Sequence, residues 1–126
     1  MNRRRGLDGL RVLVVEDSFL IAEDICDALR SDGCEVIGPV GRVEQAMALL
    51  EEKQIDGALL DVNLAGTLSF PIATALRGRS IPFLFLTGYG DPSVIPPELM
   101  DVARIAKPFD PAGLVRIVAE SFRAGP

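Results

Sequence analysis

The chain has 126 residues and a formal net charge of −5, a length that suits one domain and an acidic balance that argues against direct binding of nucleic acid. Cys26 and Cys34 do not form a Cys-x-x-Cys pair, and the chain has no histidine, so a zinc site of the usual ligands and histidine-based acid–base chemistry are excluded. No apolar run is long enough for a signal peptide or a membrane span. We therefore expect a cytoplasmic protein with no membrane partner.

Short apolar runs alternate with amphipathic segments along the chain. A short, continuous and β-branched run such as residues 12–15 predicts a buried strand, whereas Ile21, Ile25 and Leu29 recur at helical spacing and predict a helix. In chain order the predicted elements are strand 12–15, helix 18–30, strand 35–37, helix 43–53, strand 57–60, helix 71–77, strand 81–86, strand 102–106 and a last helix that begins after Asp110-Pro111.

The segment between the fourth and fifth strands, residues 91–101, contains Pro92, Pro96 and Pro97. Proline lacks the amide donor and its ring clashes with the preceding turn of a helix. We therefore predict that the fourth helix is short or irregular.

The alternation of strands and helices defines the fold class. Five strand–helix units in succession predict an α/β fold in which helices cover both faces of a parallel sheet. We predict an N-terminal tail over residues 1–9 and a single domain over residues 10–124, without a second domain.

Polar side chains stand at the ends of four of the predicted strands. They are Glu16 and Asp17 after the first strand, Asp61 after the third, Thr87 after the fourth and Lys107 after the fifth. Because the carboxyl ends of parallel strands meet at one edge of a sheet, where such folds bind their ligands, we expect these side chains to converge.

The residue types at this edge favour phosphoryl transfer. Clustered carboxylates repel one another, and oxygen ligands without sulfur or imidazole suit Mg²⁺ first, with Mn²⁺ or Ca²⁺ as alternatives. Lys107 offers a positive charge to an anion, and Thr87 offers a hydroxyl donor. In phosphoryl transfer, positioning and charge neutralisation carry most of the catalysis, and a carboxylate can itself be the nucleophile.

Each of these residues also has an ordinary structural explanation when it is taken alone. Asp61 would suit the start of a turn, and Glu16 with Asp17 would suit the beginning of a helix. Thr87 would be an ordinary residue at the end of a strand, and Lys107 would be an ordinary surface lysine. These separate explanations leave the coincidence of all five at consecutive strand ends unexplained.

At residues 11–122 the sequence resembles the receiver domain of two-component response regulators. The segments that carry the resemblance are Val12-Leu13-Val14-Val15-Glu16-Asp17, Leu60-Asp61-Val62-Asn63-Leu64-Ala65-Gly66, Leu86-Thr87-Gly88 and Lys107-Pro108-Phe109. The resemblance implies a flavodoxin-like fold, whose five parallel strands follow the order 2-1-3-4-5.

The resemblance also implies roles for individual residues. Asp61 would be the phosphoacceptor, and Lys107 and Thr87 would contact the phosphoryl oxygens. The Lys107–Pro108 peptide bond would be cis. The oxygen ligands of Mg²⁺, with Mn²⁺ as the alternative, would come from Glu16, Asp17, Asp61 and the backbone carbonyl of Asn63.

The sequence departs from the family pattern at several positions. Glu16 stands where an aspartate is usual, Gly88 where an alanine is usual, and Ile105 where the family has a switch tyrosine or phenylalanine. Tyr89, next to the Thr87–Gly88 pair, would take over the switch role. The fourth strand is similar to a subgroup of single-domain receivers with a Phe-Ala-Thr-Gly signature, although Leu86 replaces the alanine.

The function that the resemblance implies is that of a stand-alone response regulator. A histidine kinase or a phosphotransfer protein would donate the phosphoryl group, and an unknown downstream protein would bind the face formed by helix four, strand five and helix five. The protein would catalyse only its own phosphorylation and slow dephosphorylation, and it would not bind nucleic acid directly.

Two alternatives remain open. The first is a degenerate receiver that binds partners without phosphorylation, which the variant Glu16 and Ile105 leave possible. The second is a phosphohydrolase with an aspartate nucleophile, although the known fold of that kind has Asp-x-Asp after its first strand, and here Asn63 stands two residues after Asp61. Steady turnover of phosphoesters would favour this second alternative.

Overall fold

Strands and helices alternate along the chain in the computed structural model, which describes residues 7–88 and 90–122. In chain order they are β1 (Arg11–Val15), α1 (Phe19–Ser31), β2 (Glu35–Val40), α2 (Val43–Glu52), β3 (Gly57–Asp61), β4 (Asn63–Leu64), β5 (Thr67–Leu68), α3 (Phe70–Gly78), β6 (Phe83–Thr87), β7 (Arg104–Ala106) and α4 (Pro111–Phe122).

The main sheet has five parallel strands in the order β2-β1-β3-β6-β7. When only the strands of this sheet are counted, this is the predicted order 2-1-3-4-5, and the α/β fold class is confirmed. All five residues of β3 are buried, as are four of the five in β1. Strands that are covered on both faces are expected to be apolar throughout, which explains the uninterrupted runs in the sequence.

Helices cover both faces of the sheet, as predicted. Alternate residues of a strand point to opposite faces, so β1 sends Leu13 and Val15 to one core cluster and Val12 and Val14 to the other. The first cluster includes side chains of α2 and α3, namely Ala46, Leu50, Ile72, Ala73 and Leu76. The second includes side chains of α1 and α4, namely Ile25, Cys26, Leu29, Leu114 and Val118.

The packed part of the chain extends further towards the N-terminus than the sequence predicted. Leu7 is fully buried in the second cluster, and its amide donates a 2.8 Å hydrogen bond to Asp32 Oδ2. Residues 7–9 of the predicted tail therefore pack on the domain. The rest of that tail, residues 1–6, lies outside the described residues, as do residues 123 and 124 of the predicted domain.

The segment that follows β6 confirms the prediction of a short or irregular fourth helix. Among its described residues, 88 and 90–103, there are two 3₁₀ turns, Asp91–Val94 and Pro97–Leu99, and no α-helix. Ile95, Leu99 and Val102 are buried in the first core cluster. The segment is therefore anchored by apolar side chains without a regular helix.

Strands β4 and β5 form a small antiparallel hairpin that the sequence analysis did not predict. Its two-residue turn has positive φ at both Ala65 (52°) and Gly66 (98°), the conformation that suits tight hairpins. Asn63 Oδ1 accepts a 2.6 Å hydrogen bond from the Gly66 amide. The hairpin therefore folds the chain sharply just after Asp61, between β3 and α3.

None of the helices in the described ranges combines the length and the hydrophobicity that crossing a bilayer would require.

Candidate functional site

The predicted site residues lie at the carboxyl edge of the main sheet. Glu16 and Asp17 directly follow β1, Asp61 is the last residue of β3, Thr87 is the last residue of β6, and Lys107 directly follows β7. These four strands are consecutive neighbours in the sheet. The topology alone therefore brings their ends together.

Three carboxylates form a tight cluster at this edge. One oxygen each from Glu16, Asp17 and Asp61 lies within 4.8 Å of the others. Glu16 and Asp61 are 4% and 3% exposed, whereas Asp17 is exposed. An all-oxygen set of this kind, with one open side, fits a hard divalent cation such as Mg²⁺.

Lys107 contacts two of these carboxylates. Its Nζ lies 3.0 Å from Asp61 Oδ2 and 2.9 Å from Glu16 Oε1. Three carboxylates and one ammonium leave the cluster with an excess of negative charge. A further cation would therefore be attracted to it.

The protonation equilibria reflect the same balance of charges. The pKa of Asp61 is raised to about 7: burial is the largest cause, the hydrogen bond from Lys107 opposes the rise, and the Glu16 charge adds to it. For Lys107, burial lowers the pKa, but the contacts with Glu16 and Asp61 outweigh burial and raise the pKa above its ordinary value. The ionised form of Asp61 is therefore costly unless positive charge stands beside it.

Glu16 is also held by the start of α1. Its Oε2 accepts a 3.0 Å hydrogen bond from the Ser18 amide. Ser18 is the N-cap of α1, and its hydroxyl accepts a bond from the Ile21 amide. The turn between β1 and α1 thus fixes Glu16 so that its carboxylate points into the cluster, a contact that sequence reasoning missed.

Thr87 ends β6, which lies between β3 and β7 in the sheet. Thr87 is 5% exposed, and its carbonyl accepts a 2.8 Å hydrogen bond from the Lys107 amide, which joins the ends of β6 and β7. The Gly88 amide donates a 2.7 Å bond to Asp91 Oδ2. Asp91 was not singled out from the sequence, because its bond to the Gly88 amide depends on the path of the backbone after β6.

The remaining predicted site residues are placed as follows. The Asn63 side chain is exposed and engaged with the hairpin turn, and the ligand role of its backbone carbonyl stays a prediction. The Lys107–Pro108 bond is cis. Ile105 is 4% exposed and packs in the second core cluster. Tyr89, the predicted substitute switch, lies outside the described residues.

Comparison with known proteins identifies the family. The profile described as response regulator receiver domain matches residues 12–119. This chain therefore belongs to the receiver domain family of response regulators.

Individual relatives agree with this assignment. The transcriptional regulatory protein PdtaR of Mycobacterium tuberculosis is 28% identical over 108 residues, which cover 83% of this chain and 53% of PdtaR. The solution structure of SdrG from Sphingomonas melonis Fr1 is 38% identical with a TM-score of 0.77, over 87% of this chain and 94% of SdrG. The chain spans about half the length of the curated relatives it matches.

A third similar structure was solved with a metal. The receiver domain of the sensor histidine kinase PA1611 from Pseudomonas aeruginosa PAO1 is 28% identical, with a TM-score of 0.77, over 93% of this chain and 99% of that domain. That structure has a magnesium ion coordinated in its active site cleft.

Proposed function

We propose that this chain acts as a single-domain response regulator in a two-component phosphorelay, and that it accepts a phosphoryl group on Asp61 in a Mg²⁺-dependent reaction. The observation that carries the proposal is the position of the Lys107 ammonium, within 3.0 Å of Asp61 and 2.9 Å of Glu16 in a cluster of three carboxylates. A buried carboxylate beside an ammonium and a cation site suits a nucleophile for phosphoryl transfer.

The transfer exchanges one bond to phosphorus for another. An Asp61 carboxylate oxygen attacks the phosphorus, the P–N bond of the donor's phosphohistidine breaks, and the donor imidazole keeps the electron pair and takes up a proton. These 126 residues contain no histidine, so the phosphohistidine of the donor lies outside this sequence, on a histidine kinase or a phosphotransfer protein. Lys107 stabilises the charge on the transferred oxygens.

The cation would be held by Glu16, Asp17, Asp61 and the backbone carbonyl of Asn63, and it would neutralise oxygens of the phosphoryl group when bound. Mn²⁺ has the same preference for oxygen ligands and would substitute. The magnesium ion in the similar PA1611 receiver supports this choice.

The conformational response begins at Thr87. A phosphorylated Asp61 carries about −1.5 to −2 charges and three strong acceptor oxygens, and the Thr87 hydroxyl turns towards them as a donor. Gly88 then moves with Thr87, and Asp91 moves with Gly88 because a 2.7 Å hydrogen bond joins the Gly88 amide to Asp91 Oδ2. The altered surface comprises the 3₁₀ segment, β7 and α4, and an unknown downstream protein binds there.

Several further features belong to the same proposal. The protein is cytoplasmic, binds neither nucleic acid nor membrane, and catalyses no reaction beyond its own phosphorylation and slow dephosphorylation. The sequence Phe85-Leu86-Thr87-Gly88 and the irregular segment after β6 support membership in the subgroup with the Phe-Ala-Thr-Gly signature.

Incubation with acetyl phosphate tests the proposal through the intact mass of the protein. We expect a single labile phosphoryl adduct in the wild type with Mg²⁺, and none without metal or in Asp61→Asn. Asp27→Asn is the matched control, because Asp27 is an exposed aspartate on α1, and it should load like the wild type.

Two results would contradict the proposal. An adduct that persists in Asp61→Asn would place the acceptor elsewhere. A wild type that takes no phosphoryl group from acetyl phosphate or from histidine kinases would leave the phosphorylation-independent binding module as the function.

A further inference from the structure

Both carboxylate oxygens of Glu16 are engaged by other groups of the chain. Oε1 lies 2.9 Å from the Lys107 ammonium, and Oε2 accepts the Ser18 amide at 3.0 Å. The Glu16 side chain is 1% exposed, so water does not replace these partners. Glu16 thus binds Lys107 through one oxygen and the start of α1 through the other.

The same carboxylate belongs to the candidate cation site, since one of its oxygens lies within 4.8 Å of oxygens of Asp17 and Asp61. A cation in this cluster and the Lys107 ammonium would compete for Glu16. Two positive charges a few ångströms apart also repel each other. The contact of Glu16 with Lys107 is therefore in competition with the ligation of a cation by Glu16.

We propose that Glu16 is a positioning residue that holds Lys107 in the metal-free protein and releases it on ligating the cation. Lys107 then keeps Asp61 as its carboxylate partner and stands ready for the phosphoryl oxygens. This inference rests on the proposed function, and it adds an ordered coupling in which binding of the metal frees the lysine.

The length of the Glu16 side chain is what permits the contact. An aspartate at this position would end about 1.5 Å short, the length of one carbon–carbon bond. The contact with Lys107 is 2.9 Å in the present structure, so a carboxylate shortened by that amount would lose it. With the family's usual aspartate at position 16, Lys107 should therefore make no contact with that carboxylate, whether or not the metal is bound.

The coupling must be reciprocal, because two linked equilibria affect each other equally. If the cation draws Glu16 away from Lys107, then Lys107 opposes binding of the cation through Glu16. The state of the Lys107 ammonium therefore reports on the coupling directly, without a phosphoryl donor.

The composition of the chain makes this measurement simple, because it contains only two lysines, Lys53 and Lys107. Protein labelled with ¹³C and ¹⁵N in lysine gives one side-chain NMR signal from each, and Lys53 is exposed and serves as the internal reference. We expect Mg²⁺ to shift the Lys107 side-chain signal of the wild type and to leave Lys53 unmoved. NaCl at equal ionic strength separates specific binding from screening.

Two variants test the role of Glu16. In Glu16→Asp and Glu16→Gln, we expect the metal-free Lys107 signal to lie already near its Mg²⁺-bound wild-type position, and the Mg²⁺-dependent shift to be lost. Glu23→Asp, an exposed glutamate on α1, is the matched control and should behave like the wild type. Backbone amide spectra verify that each variant is folded.

The wild type alone can also overturn the inference. If amides near Asp17 respond to saturating Mg²⁺ while Lys107 does not move, or if no signal responds to Mg²⁺, Glu16 does not exchange partners. A Lys107 signal in metal-free Glu16→Asp identical to that of the wild type would overturn it as well. No phosphoryl donor is present, so failure here is distinguishable from failure of the acetyl phosphate experiment.

Discussion

Lys107 follows Asp61 by 46 positions in the sequence, yet its ammonium donates a 3.0 Å hydrogen bond to the Asp61 carboxylate. This bond joins the ends of two strands that are not neighbours in the sheet, since β6 lies between β3 and β7. The ammonium also lies 2.9 Å from Glu16 Oε1, so one positive charge is shared by two buried carboxylates. The stability and the chemistry of the site should therefore respond to any change of charge there.

The first prediction concerns the pH dependence of stability. The pKa of Asp61 rises from 3.8 to about 7 on folding, chiefly because of burial. Between these pH values the folded protein holds a proton that the unfolded chain has lost, so this contribution to stability is present at low pH and disappears as the pH rises to about 7. Asp61→Asn should remove the decline, which cannot exceed about 1.4 kcal/mol per pH unit.

Urea unfolding in EDTA at a series of pH values measures this effect. The difference between wild type and Asp61→Asn isolates Asp61 from the other carboxylates, and Asp27→Asn should follow the wild type. We expect Asp61→Asn to be the more stable protein above pH 7. When Mg²⁺ replaces EDTA, the difference in unfolding free energy between Asp61→Asn and the wild type should become smaller. Parallel curves for wild type and Asp61→Asn would show that Asp61 titrates normally.

The second prediction separates phosphorylation from its structural consequence. Thr87→Ala removes the hydroxyl donor but leaves Asp61, Lys107 and the carboxylate cluster intact. It should therefore still form the acetyl phosphate adduct, while hydrogen exchange in residues 91–101 should no longer change on phosphorylation. Thr87→Ser retains the hydroxyl and is the control. If phosphorylation changes hydrogen exchange in residues 91–101 of Thr87→Ala as much as it does in the wild type, Thr87 is not part of the switch.

The third prediction concerns the packing of α4 on the sheet. A Cβ added at Gly57 would lie 2.5 Å from Phe122 Cδ2, so Gly57→Ala should destabilise the protein by about 1–3 kcal/mol. Phe122→Leu should relieve part of this cost, and a double-mutant cycle by urea unfolding measures the coupling. Gly78→Ala meets nothing within 4 Å and should be neutral or slightly stabilising. Additive effects of the Gly57 and Phe122 substitutions would contradict the predicted contact.

The central part of the fold was predictable because its signals are local. The continuous apolar runs at β1 and β3 and the helical spacing in α1 each lie within a few residues, and parallel topology then brings the strand ends to one edge. The sequence alone therefore predicts that Asp61, Thr87 and Lys107 lie together. The prolines of residues 91–101 were equally informative, since their effect on a helix depends on the backbone alone.

Other features depended on interactions that a sequence pattern does not carry. The strands of the β4–β5 hairpin have two residues each, too few for a detectable alternation. Leu7 is a single leucine in a polar segment, and nothing local reveals that it is fully buried. The pairing of Glu16 with Lys107 depends on the conformations of two long side chains from opposite parts of the chain. These conformations are set by tertiary packing.

The measurement that tests the central claim most directly is chemical mapping of the acceptor residue. The protein is loaded with acetyl phosphate and Mg²⁺ and then treated with sodium borohydride, which reduces an aspartyl phosphate to homoserine and releases phosphate. Digestion and peptide sequencing by mass spectrometry then locate the reduced residue. We expect homoserine at position 61 alone, and none when Mg²⁺ is omitted. Homoserine at another acidic position, such as that of Asp17, with position 61 unmodified, would contradict the assignment of Asp61 as the phosphoacceptor.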